Sequence, residues 1–157
     1  MKIREAIKRD IPRLINLIRI ADNRTKNWAR KKIKEYLERN DRIILLLIDK
    51  TKIIGYVFGE EKDDDERISN KLDINQFSAI AHIAIHPDYR NKGIGSKLLK
   101  AYEKYSKRWK KKGIVLDCMK DKTPFYKKNN YRNVGYFIKK ENVKKPRRQY
   151  VMVKKVK

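Results

Sequence analysis

Cysteine and histidine are almost absent: the 157-residue chain holds a single Cys, Cys118, and two His, His82 and His86. A lone thiol excludes an internal disulfide, and so few soft ligands exclude a clustered metal site, so no structural metal is expected. No apolar run approaches the roughly 18 residues of a membrane span. The opening Met-Lys-Ile-Arg-Glu-Ala lacks the continuous apolar stretch of a secretion signal. A soluble, cytoplasmic protein with no membrane partner is therefore expected. Glycine is also sparse, and two familiar nucleotide-binding glycine patterns are missing. Leu98 stands at the third glycine position of G-x-G-x-x-G, and no Gly-Lys-Ser/Thr closes a P-loop.

Negative charge is in short supply. Lys and Arg number 43 against 19 Asp and Glu, a formal net charge of +24. The excess is uneven: residues 101–157 hold 20 Lys and Arg against 4 Asp and Glu, so the carboxy-terminal third is the basic part. Such a surface favours polyanions, because Lys and Arg displace counterions from phosphates. A Lys- and Ile-rich composition also arises from codon bias or from life at high temperature, so charge alone does not name a partner. The length suits one domain with a real core and no second domain beside it.

The chain opens with a strand over 2–7. Asp10 and Pro12 then offer a cap and first turn for a helix carrying Leu14, Ile15, Leu17 and Ile18. Ala29, Ile33, Tyr36 and Leu37 recur at helical spacing, which predicts a second helix over 26–40 with Trp28 at its entry. Two short apolar runs at 43–48 and 53–58, joined by a four-residue polar connector, read as an antiparallel hairpin. The acidic stretch 60–70 reads as an exposed loop. A strand over 79–85 follows, ended by Pro87-Asp88. A long helix then carries Ile94, Leu98, Ala101, Tyr102, Tyr105 and Trp109 on one face, with Gly113 placed to end it in the left-handed conformation. With the strand at 114–118 this makes a βαβ unit, whose two strands should be parallel. A short helix at 124–129, a strand at 131–138, a basic turn at 144–148 and a last strand from Gln149 complete the chain.

The most informative segment joins the strand ending Ile83-Ala84-Ile85 to the long helix through Arg90-Asn91-Lys92-Gly93-Ile94-Gly95-Ser96. Glycine lets backbone approach a ligand closely, and the first turn of a helix offers N–H groups at the positive end of its dipole. Phosphate oxygens bind well there. The pattern Arg-x-x-Gly-x-Gly, preceded by Ile-Ala-Ile-His-Pro-Asp-Tyr, resembles the acetyl-CoA site of the GNAT acetyltransferases, and the likeness extends over nearly the whole chain. It implies a mixed α/β single domain with a mostly antiparallel central sheet. One parallel pair would splay at the CoA site, and about four helices would flank the sheet. It also implies that main-chain amides of Arg90, Asn91, Lys92, Gly93, Ile94, Gly95 and Ser96 hold the pyrophosphate of acetyl-CoA. Ile83, Ala84 and Ile85 would run along the pantetheine arm by backbone, their side chains remaining core.

Acetylation needs a neutral amine, yet a lysine amine with a pKa of about 10.4 is mostly protonated at neutral pH. A base is required, and the departing thiolate gains from a nearby proton donor. Thr123-Pro-Phe-Tyr126-Lys-Lys-Asn-Asn130-Tyr131 resembles the second GNAT signature, an aromatic–Tyr pair followed by Gly-Phe, and the resemblance puts Tyr126 at the general acid. Asn130 replaces the usual glycine and tolerates the left-handed backbone a helix end requires. For the base, His82 is of the residue type whose ordinary pKa lies nearest neutrality and projects opposite to Ile83; Glu60 and Glu61, at the end of the preceding strand, compete with it. His86 reads as a turn residue and Cys118 as a small core side chain.

The acceptor is not legible. A peptide or protein amine, N-terminal or lysine, leads. Alternatives are a polyamine attracted by the acidic stretch, a tRNA or aminoacyl-tRNA held by the basic carboxy-terminal third, and a non-catalytic CoA- or RNA-binding module, since fold alone does not establish turnover. A monomer or a homodimer fits equally.

Overall fold

Seven strands and five helices account for residues 1–156, which the computed structural model describes. The strands are β1 (Lys2–Glu5), β2 (Arg42–Asp49), β3 (Lys52–Glu60), β4 (Phe77–Ile85), β5 (Gly113–Cys118), β6 (Arg132–Lys139) and β7 (Arg147–Lys155). The helices are α1 (Ile11–Asp22), α2 (Lys26–Leu37), α3 (Glu66–Ser69), α4 (Ile94–Ser106) and α5 (Thr123–Lys128). Strand order in the sheet is β1-β2-β3-β4-β5-β7-β6. β1 pairs with β2, β2 with β3, and β7 with both β5 and β6, all antiparallel. β4 and β5 are parallel, as the βαβ pattern requires. The mixed α/β architecture is thus the one expected, with one helix more. Among the described residues no helix is long and apolar enough to cross a membrane.

The chain forms two compact units, Met1–Glu60 with Ile80–Ser106, and Glu61–Ala79 with Lys107–Lys157. In the first, strand alternation divides the apolar side chains between two faces. Ile44, Leu46, Tyr56 and Phe58 pack with Leu14, Ile18, Ala29 and Ile33 of α1 and α2 in one buried cluster. On the other face glycines admit α4: a Cβ at Gly59 would lie 2.1 Å from the Tyr102 ring, and one at Gly55 would lie 3.4 Å from Leu98.

Asp10 stands at the amino-terminal end of α1, as expected, but its side chain caps the single helical turn before that helix and not α1 itself. Its carboxylate is fully buried. It accepts two hydrogen bonds from Arg4 (2.7 and 2.8 Å), one from Arg13 (3.0 Å) and one from the Ile7 amide (2.9 Å). Chiefly the Arg4 guanidinium holds its pKa down to about 2. Because the folded pKa is depressed, this stabilisation is complete above the unfolded value near 3.9 and is lost as pH falls through about 2. Asp10→Ala is expected to cost about 3 kcal/mol at pH 7, since it removes the buried carboxylate that accepts from Arg4, Arg13 and the Ile7 amide. The difference from the natural chain should shrink between about pH 4 and pH 2; urea unfolding at both ends of that range measures it.

The second unit has its own core, in which Ile68, Ile74, Phe77, Val115, Phe137, Val151 and Val153 pack together. Ile68 corrects the reading of 60–70 as an exposed loop. Its burial on α3 anchors that stretch, and the Asp65 side chain caps the helix by accepting from the Arg67 amide. Arg67 also pairs with Asp65 at 2.7 Å and with Glu141, and its guanidinium lies 4.4 Å from the Phe137 ring centre. A second correction concerns the long helix. It ends at Ser106, the left-handed residue beyond it is Lys110 (φ 54°), and Gly113 is the first residue of β5. α2 likewise stops at Leu37, short of residue 40.

Candidate active site

The turn after β4 is built by local hydrogen bonds. The His86 amide donates to Ile54 O at 2.7 Å, its ring Nδ1 accepts from the Asp88 amide at 3.1 Å, and a single helical turn spans Pro87–Tyr89. His86 is therefore a turn residue. Asn91 (φ 61°) and Gly93 (φ 75°) then reverse the backbone through the left-handed region before α4 begins. The Lys97 amide donates to Gly93 O at 3.2 Å as α4 begins, and the first amides of a helix have no i−4 acceptor within it. They lie at the positive end of the α4 dipole. A Cβ at Gly93 would meet nothing within 4 Å. The turn therefore offers main-chain donors with open approach, a site suited to an anionic phosphate.

The Arg90 side chain is occupied by the protein itself. Its Nε donates to Ile85 O at 2.9 Å and an Nη donates to Ala21 O at 2.8 Å, tying the turn to the ends of β4 and α1. The Lys92 ammonium donates to Asp88 O at 3.2 Å. Gly95 has ordinary helical backbone and needs no positive φ.

Ile83 and Ile85 project opposite to His82 and Ala84. Ile85 lies against Gly55 on the α4 side, and Ala84 packs on the α1 and α2 cluster. His82 is half-buried and meets two aromatic rings edge-on, Trp28 at 5.1 Å and Phe58 at 6.0 Å. The Arg24 guanidinium lies 4.6 Å from the Trp28 ring centre. Glu60 ends β3 and accepts hydrogen bonds from the Tyr36 hydroxyl and, at 2.7 Å, from Arg42. Burial, then the Glu60 charge, raises the Tyr36 phenol far above its ordinary value, so it stays a neutral donor. The sequence reading did not link these neighbours. Trp28 was legible only as an aromatic at a helix entry, and Tyr36 and Arg42 only as members of their own elements.

Tyr126 belongs to the second unit. It sits on α5, buried, with Phe125 at 5.0 Å and Tyr131 at 5.8 Å between ring centres. Asn130 has φ 70°, and the Tyr131 amide donates to Tyr126 O at 3.0 Å. The left-handed residue expected at this helix end is therefore present. Burial, then the neighbouring Cys118 thiol and Asp117 carboxylate, raises the Tyr126 phenol. Burial pushes the Cys118 thiol up to about 12. Among the described residues no group of three or more His, Cys, Asp and Glu is arranged to hold a metal ion.

Comparison with known proteins agrees with this arrangement. The profile of the acetyltransferase (GNAT) family matches residues 11–131. No curated protein matches the sequence. Among solved structures, an aminoglycoside 6'-N-acetyltransferase complexed with coenzyme A is similar at a TM-score of 0.77 and 15% identity, over 99% of this chain and 97% of that one. A GNAT-family acetyltransferase from Streptococcus pneumoniae is similar at 0.73 and 20%, over 99% of both chains. The ribosomal-protein-S18-alanine N-acetyltransferase from Escherichia coli is similar at 0.75 and 13%, over 99% and 93%. At these identities the structures speak for the fold. Because the family match covers well over half of the sequence and takes in both the strand-to-helix turn and α5, the chain belongs to the acetyltransferase (GNAT) family of acyl-CoA N-acetyltransferases, with acetyl-CoA as donor.

Proposed function

We propose that the enzyme transfers the acetyl group of acetyl-CoA to a primary amine of a peptide or protein, at an N-terminus or a lysine, by direct attack of the amine. The observation that carries the cofactor site is the turn at 90–96, with its left-handed Gly93 and open approach to main-chain donors. Amides of Arg90, Asn91, Lys92, Gly93, Ile94, Gly95 and Ser96 would hold the pyrophosphate, and main-chain groups of Ile83, Ala84 and Ile85 the pantetheine. Tyr126 would give its proton to the departing thiolate, and burial keeps the phenol protonated so that the proton is there to give.

Of the base candidates the surroundings favour His82 over Glu60. Glu60 already accepts from Arg42 and Tyr36, and taking up a proton would remove the charge that strengthens those hydrogen bonds. Direct attack is favoured over an acyl-enzyme because the only thiol, Cys118, is buried and held protonated.

Two solved neighbours are named for amine acceptors of different kinds, an aminoglycoside and the alanine of a ribosomal protein. A net charge of +24 opposes a polycationic acceptor. Asp65 and Glu60, at the two ends of the charge that would attract one, are paired with Arg67 and Arg42. This favours the peptide amine over a polyamine or aminoglycoside.

Calorimetric titration with acetyl-CoA tests the site. The natural chain is expected to bind with micromolar affinity, and a folded Gly93→Glu, Gly95→Glu variant to lose at least a hundredfold, because two carboxylates would face the pyrophosphate. A screen of peptide amines with the natural chain then identifies the acceptor. Failure of the folded natural chain to bind would remove the reading, and binding without transfer to any amine would mark a CoA-binding module.

A further inference from the structure

The β6–β7 hairpin leaves one face unusually dressed. Phe137, Gln149, Val151 and Val153 are buried, most of them in the core of the second unit. Strand alternation turns Tyr136 and Ile138 of β6 and Arg148 and Tyr150 of β7 to the opposite face, and the register sets them directly across from one another as Tyr136–Tyr150 and Ile138–Arg148. On a solvated sheet face these positions would ordinarily be polar. Instead Tyr136 is 44% exposed and Ile138 42%. The Arg148 guanidinium lies 4.5 Å from the Tyr136 ring centre, and the two tyrosine rings are 6.0 Å apart. Beside them is a recess lined by Met119, Lys120, Asp121, Arg147, Arg148 and Tyr150.

The charge around this face is almost wholly of one sign. Residues 132–155 hold nine Lys and Arg against one acid, Glu141, and Glu141 is itself paired with Arg67. Asp121 lies 4.0 Å from the Lys122 ammonium. An exposed tyrosine ring beside a second, half-buried one, a guanidinium stacked on the first, and a local excess of Lys and Arg form a chemical complement to a strand with exposed bases and a phosphate backbone. A second copy of the chain fits less well, since a two-fold interface would set the same positive surface against itself. A duplex offers the phosphates but keeps its bases stacked inside.

We propose that the face of β6 and β7 bearing Tyr136, Ile138, Arg148 and Tyr150 binds single-stranded nucleic acid, bases on the tyrosines and phosphates on the flanking Lys and Arg. The proposal does not depend on acetyl transfer. None of these residues belongs to the turn at 90–96, and acetyl-CoA titration reports on that turn separately.

The test is fluorescence anisotropy of the full chain with labelled 20-nucleotide oligouridylate, oligodeoxythymidylate and a duplex of equal length, across a salt series. Micromolar binding of the single strands near 100 mM salt is expected, weakening with a log–log salt slope of about −0.7 per phosphate contacted. Tyr136→Ala should lower affinity roughly tenfold at fixed salt, as loss of one stacked base requires. Arg148→Glu should lower it and also flatten the salt slope. Both changes are at exposed positions, so circular dichroism and acetyl-CoA affinity should stay as in the natural chain. Tighter RNA or tighter DNA would each uphold the proposal and say which strand is the partner. Equal binding of duplex and single strands, unchanged affinity in both variants, or a self-associated dimer that Tyr136→Ala dissociates, would overturn it.

Discussion

Tyr126→Phe is expected to lower kcat about a hundredfold while leaving the KM for acetyl-CoA within a few-fold, because a positioned proton donor contributes at least that much. The substitution removes one oxygen and keeps the ring, so the packing of residue 126 against Phe125 and Tyr131 persists and the fold should be retained. The sign of the pH dependence follows from the raised pKa. A buried phenol close to a thiol and a carboxylate stays protonated beyond its ordinary value near 10. Loss of the acid therefore should not appear in the kcat profile of the natural enzyme between pH 6 and 9, and a rise in that window belongs to the base or to deprotonation of the acceptor amine. If the base is His82, His82→Ala removes the rise and leaves the high-pH plateau reduced. A Tyr126→Phe enzyme whose kcat stays within threefold of the natural one would reduce Tyr126 to a packing aromatic.

Gly113→Ala should destabilise the fold by about 3 kcal/mol, near the upper end of what overpacking costs. The added Cβ would stand 2.3 Å from the carbonyl oxygen of Lys154 and 2.9 Å from the Phe77 ring. The carbonyl is main chain and cannot rotate away. β5 is held against β7 from Gly113–Lys155 to Cys118–Tyr150, and its parallel partner β4 begins at Phe77–Gly113. The flanking bonds are also tight, with the Lys112 amide donating to Gln76 O at 2.8 Å and the Val156 amide to Lys112 O at 2.9 Å. Any relief must therefore loosen a ladder. The urea midpoint should fall with an unchanged slope, and a loss below 1 kcal/mol would show that β5 moves more freely than its pairing implies.

Gly113 also marks where sequence reading reached its limit. Its place after a helical pattern predicts a helix end, where glycine commonly serves, but that conformation belongs to Lys110. What requires glycine at 113 is a carbonyl 41 residues away, and no local pattern announces it. The same holds elsewhere. Asp10 has the right type and place for a cap, and Arg4 and Arg13 capture it instead. The acidic stretch looked solvated because its charges were visible and the burial of Ile68 was not.

What the chain's own order of residues determined is local. Short apolar runs wrote β2 and β3, helical spacing wrote α1 and α4, and the left-handed tolerance of Gly93 and Asn130 wrote the two turns that carry the family likeness. Each depends on interactions within a few residues, whose energies are set before the chain folds. The tertiary structure alone decided which charges are spent and which side chains meet. It placed Glu60 with Arg42 and Tyr36, His82 with Trp28 and Phe58, and Arg90 with the end of α1. Those pairings join residues distant in sequence, so they exist only once the strands and helices have packed.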